Sequence, residues 1–105
     1  MINFKEMMQQ AQQMQFKMQE MQAKFEDIDV NGESGGGMVK VLITCTGVVK
    51  SIDIDSSVMG EKDVLEDLIV AAVNNAGEAK EARIKEETEA MVKALGLPAD
   101  AKLPF

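Results

Sequence analysis

Two short runs of alternating apolar and polar residues, broken at Thr46 and Gly47, constrain the fold of this chain more than any other feature. Val39, Val41, Ile43 and Cys45 share one parity; Lys40 and Thr44 share the other, where Leu42 is the one apolar residue. A period of two is that of a half-buried strand. After the break, Ile52 and Ile54 stand on the expected buried face opposite Ser51, Asp53 and Asp55, so the two runs read as a hairpin. Upstream, Ile28 and Val30 alternate with Asp27, Asp29 and Asn31 as far as Gly32. A further strand is expected there, leading into a turn at Gly35, Gly36 and Gly37. The expected hub is a three-stranded antiparallel meander with strands at about 26–34, 38–46 and 48–55.

Three strands with one apolar face bury too little to stand alone, so the flanking segments must cover them. From Phe4 onward, apolar residues fall at Phe4, Met7, Ala11, Met14, Met18, Met21 and Phe25, in steps of three and four. That is a heptad seam, the pattern of a helix lying along a partner helix. Met7, Met14, Met18, Met21 and Phe25 are therefore the candidate dimer-interface residues, with a share in packing on the sheet. Asn3 is a suitable N-cap for a helix over about 3–24, roughly 33 Å long at ~1.5 Å per residue, part of which should overhang the sheet. Beyond a turn at Asp55–Ser57, the acidic stretch Glu61–Asp67 opens a second helix over about 61–95. Its stripe of Leu65, Leu68, Ile69, Ala72, Val73 and Ala76 should cover the sheet, whereas residues 77–89 thin to Ala79, Ala82 and Ile84 among charges and should leave the core. Met91, Val92 and Leu95 restore an apolar face that Gly96 ends, and the tail 97–105 reads as extended, with Leu97, Leu103 and Phe105 packing back. The fold class is α+β: one domain of 105 residues, a meander flanked by a long helix on each side.

The chain carries 18 acidic and 11 basic residues, a formal net charge of -7 that repels nucleic acid at long range, so any polyanion must be held locally. There is no histidine or tyrosine, and one cysteine excludes an intramolecular disulfide framework. Cys45 reads as a small core residue, and a reducing cytoplasm fits. The glycine run lacks the Lys-Ser or Lys-Thr pair of a P-loop, and Asp53 and Asp55 have no third ligand at suitable spacing. No metal, cofactor or small-molecule substrate is expected, and the chain reads as a binding protein rather than an enzyme. No apolar run approaches ~18 residues, which argues against both secretion and membrane spanning.

Several of these pieces occur together in one known family. They are the Gln- and Met-rich first helix, the Gly35–Gly37 turn entering Met38, Val39, Lys40 and Val41, and the run Ile52, Asp53, Ile54, Asp55. Leu65, Glu66, Asp67, Leu68 and Ile69, with the terminal Lys102, Leu103, Pro104 and Phe105, complete the pattern. The chain resembles the YbaB/EbfC family of bacterial nucleoid-associated proteins over essentially its whole length. The resemblance implies a tweezer-like homodimer with a central sheet and protruding helical arms, binding duplex DNA in the cytoplasm, at the nucleoid.

Segment charges indicate where such binding would occur. Residues 1–25 hold Lys5, Lys17 and Lys24 against Glu6 and Glu20, while Glu26, Asp27, Asp29 and Glu33 crowd the first strand. Lys5, Lys17, Lys24, Lys80, Arg83, Lys85 and Lys93 are the candidate nucleic-acid contacts, and the glutamines of the first helix can donate to phosphates or base edges. The same cations also fit an ordinary solvated helix face paired to neighbouring glutamates. The competing function is a non-enzymatic protein-interaction adaptor that uses the methionine-rich helix and acidic arms.

Overall fold

Asn3 caps the first helix: its side chain accepts a hydrogen bond from the Lys5 backbone N–H at 3.0 Å, satisfying one of the donors a helix start leaves free. In the computed structural model, which describes residues 3–94 and 96, this helix, α1, spans Phe4–Asp27. It continues through Glu26 and Asp27, residues read above as the start of a strand, because the buried Phe25 extends its apolar stripe by another turn. The meander follows as β1 (Asp29–Ser34), β2 (Val39–Thr44) and β3 (Val49–Ile54), antiparallel and in the order β1-β2-β3. Gly35–Gly37 form the β1–β2 turn, all three at positive φ, a conformation that side chains with a Cβ resist.

The second long helix, α2, spans Lys62–Ala94, and past it the Gly96 N–H returns to the Lys93 carbonyl. It crosses β1 and β2 and leaves β3 outside. Val39, Val41 and Ile43 are buried with Ala72 and Ala76, and Val30, Leu65, Leu68 and Ile69 close in around them. Alanine at 72 and 76 lets helix and strand approach closely, and Gly32 completes the fit: a Cβ there would run into the backbone of Ala72 and Ala76. Ser34 Oγ donates to the Leu68 carbonyl at 2.6 Å, and Asn75 Nδ2 donates to the Glu33 carbonyl at 2.9 Å, so α2 also satisfies backbone groups of β1.

Two strand assignments differ from the alternation. Thr44, placed on the polar side, is buried; its hydroxyl shares a hydrogen bond with Thr46 Oγ1 at 2.7 Å and accepts from the Val48 N–H at 3.1 Å. Ile52 faces the same side as its partner Val41, as expected, yet is 46% exposed because α2 does not reach β3. A bulge between Leu42 and Ile43 skips Lys50 and pairs Ile43 with Val49. One extra residue reverses parity, so Val49 joins Ile52 on the side facing α2.

Residues 97–105 lie outside the described residues, and with them the expected docking of Leu97, Leu103 and Phe105.

Candidate nucleic-acid interface

Beyond the sheet, α2 does not leave the core but exchanges one partner for another. Running antiparallel to β1, it continues along α1, where Met21, Phe25 and Cys45 form a second buried cluster flanked by Ile28, Val30, Ile84 and Met91. The thinned pattern after Gly77 was expected to mean exposure; a single helix neighbour needs only the narrow stripe that Ile84 and Met91 supply. Met21 and Phe25, both seam residues, are thus buried within one chain. Met14 and Met18 are half-buried, whereas Phe4 and Met7 stay exposed.

The arm so formed makes the molecule elongated, with extents of 70 × 22 × 17 Å. Lys24 meets Glu87, so on an antiparallel alignment Ala94 comes level with Lys17, and the first part of α1 extends past the last described turn of α2. The candidate cations distribute along this arm. Lys5 and Lys17 lie on the outer part of α1 and Lys24 near its sheet end; Lys80, Arg83, Lys85 and Lys93 lie on the distal half of α2. A shallow groove of about 280 Å³ between the helices has Met21, Ala90 and Met91 in its walls, with Lys17, Lys24, Glu20 and Glu87 beside them.

Ion pairing sorts the cations. Lys24 Nζ donates to Glu87 Oε2 at 2.7 Å, and Arg83 Nε donates to Glu87 Oε1 at 3.1 Å. The Lys24 hydrogen bond, followed by that from Arg83, holds the Glu87 carboxyl below its ordinary value of 4.5. Lys17 lies 3.5 Å from Glu20, and Lys80 lies 3.6 Å from Glu81. Lys5, Lys85 and Lys93 make no ion pair among the described residues. The structure therefore brings Lys24 and Arg83 to one carboxylate and leaves Lys5 far out on α1. Glu87 as the meeting point was not legible in the sequence: Arg83 lies four residues before it on one helix, but Lys24 is 63 residues away.

Cys45 is buried, and its removal from water pushes the thiol up from its ordinary value, as befits a packing residue. No described cluster of acidic, histidine or cysteine side chains could hold a metal ion, and no described helix is long and apolar enough to cross a membrane.

A model of the YbaB/EbfC DNA-binding family matches residues 1–95. The chain belongs to the YbaB/EbfC DNA-binding family. Its fold is similar to that in the crystal structure of the uncharacterized protein HP0035 from Helicobacter pylori, with a TM-score of 0.76 and 24% sequence identity over 88% of this chain and 99% of that one. At this identity the likeness establishes a common fold. In this YbaB/EbfC chain, the matched region takes in the meander, α1 and all of α2, and hence every candidate cation.

Proposed function

We propose that this protein binds duplex DNA as a homodimer, through the arm formed by α1 and the distal half of α2, at the nucleoid in the cytoplasm. The observation that carries this reading is the arm itself: seven cationic side chains on two adjacent helices of a chain whose family is DNA-binding. Lysines and arginine supply phosphate contacts, and Gln9, Gln12 and Gln13, beside Phe16 and Lys17 on α1, supply donors without adding charge. Such contacts favour position over sequence. A second copy is supported by the apolar strip of β3 that the described residues leave exposed at Val49 and Ile52, and by Val70 and Val73 on α2. Two arms per dimer double the cations available to one duplex.

A gel shift across salt concentrations tests this. If about four to six phosphates are neutralised per dimer, log affinity against log salt should slope at about -3.6 to -5.4, and a fourfold rise in salt should weaken binding about 150- to 1,800-fold. Replacing Lys80, Arg83 and Lys85 together with alanine should weaken binding to all sequences alike and flatten the slope. Full affinity in that triple variant would reduce the patch to a solvated helix face. Absence of any salt-sensitive shift by the wild type at low salt would refute DNA binding and favour the adaptor function, for which the exposed Phe4, Met7, Met8 and Phe16 of α1 offer an apolar docking face.

A further inference from the structure

Among the described residues, Glu87 is the one carboxylate held by two cations, and each of its oxygens takes a different one. Its side chain is 16% exposed, while Lys24 and Arg83 remain 59% and 44% exposed. The pairs Lys17–Glu20, Lys62–Glu66 and Lys80–Glu81 differ in kind: they are separated by 3.5, 3.9 and 3.6 Å, and their carboxylates are half or more exposed. Water and salt screen pairs of that sort, leaving their cations free to find another anion. Glu87 instead presents two oxygens to two donors from different helices, the geometry in which a phosphate's non-bridging oxygens are bound.

We propose that Glu87 is an internal counter-anion: its carboxylate occupies the place a DNA phosphate would take between Lys24 and Arg83, so that a duplex must displace it to engage them. This rests on the DNA-binding reading above and deepens it by naming a residue that sets affinity. The arm's contribution to binding then depends on a competition between one tethered carboxylate and the phosphates of the duplex. An acidic chain gains from such a device: the arm keeps its cations in place without attracting every polyanion, and tight binding requires a ligand with enough adjacent phosphates to compete.

Glu87→Gln keeps the shape and one acceptor while removing the charge. At one salt concentration it should bind duplex DNA about tenfold more tightly than wild type, with a salt slope steeper by up to about 1.8 for each arm engaged. Adding Lys24→Ala and Arg83→Ala to Glu87→Gln should abolish the gain. A second measurement needs no variant: the carbon-13 titration of the Glu87 carboxyl in the wild-type protein should move upward on adding duplex, as the phosphates draw the cations away. A wild type that binds while Glu87→Gln binds no tighter, or a Glu87 titration that does not move once the duplex is bound, overturns the counter-anion role and leaves DNA binding standing. Binding by Glu87→Gln with none by wild type would establish the counter-anion and refute DNA binding by the native chain. No binding by either would refute both.

Discussion

At the residue scale, two side chains matter for opposite reasons, one for what it lacks and one for what it gathers. Gly32 lies where β1 passes under α2, and a methyl group there would meet the Ala72 and Ala76 backbone, which cannot rotate aside as a side chain can. Gly32→Ala should therefore cost on the order of 3 kcal/mol or more, read as a lower denaturant midpoint, because helix and sheet must separate to admit it. Glu87 ties α1 to α2 through Lys24, and its carboxyl is held below its ordinary value. A group whose folded value is depressed adds stability above its unfolded value and loses it as pH falls through the folded value. Acidification through and below the ordinary carboxylate range should thus erode wild-type stability more than that of Glu87→Gln, in melting curves taken across that window. Equal pH dependence in the two proteins would mean that the tie adds nothing to folding.

At the element scale, α1 and α2 hold each other. Phe25 and Met21 sit with Cys45, Ile84 and Met91 where the helices meet the end of β2, and the Cys45 N–H bonds to the Ile28 carbonyl at 2.9 Å to close the corner. Phe25→Ala should cost about 3–5 kcal/mol by opening a cavity at that corner, with the melting temperature falling and the protease sensitivity of α1 rising. If α1 stays protected and stability is unchanged, the corner is not what fixes the arm. The heptad spacing of α1 was readable from residue order, but its partner was not. A seam is satisfied equally by a helix of the same chain or of another, and at Met21 and Phe25 the partner is α2.

For the whole molecule, the uncovered side of β3 is the main unfinished surface. α2 is centred over β1 and β2, so Val49 and Ile52 face its side of the sheet yet stay about half exposed among the described residues. A second copy seated there would be disrupted by Ile52→Asp, whereas one seated along the α1 seam would be disrupted by Met18→Glu. Light scattering of the two variants separates the modes. The expected result is a monomer for Ile52→Asp, since an unpaired charge buried in an interface costs roughly several kcal/mol, and a retained dimer for Met18→Glu. The opposite pattern would place the interface on α1.

Local chemistry determined the elements. Alternation over 39–54, the Asn3 cap, the Gly35–Gly37 turn and the stripe of Leu65, Leu68, Ala72 and Ala76 are each set by neighbours within a few residues, and the sequence displays all of them. What α2 covers, and what it leaves bare, was decided by tertiary structure. The bulge at Lys50 turned Val49 to the side facing α2, the missing Cβ of Gly32 let α2 settle over β1 instead of centring on the sheet, and the resulting path brought Glu87 to Lys24. Those outcomes depend on close packing between segments far apart in the chain, where one methyl group or one inserted residue changes which surfaces meet.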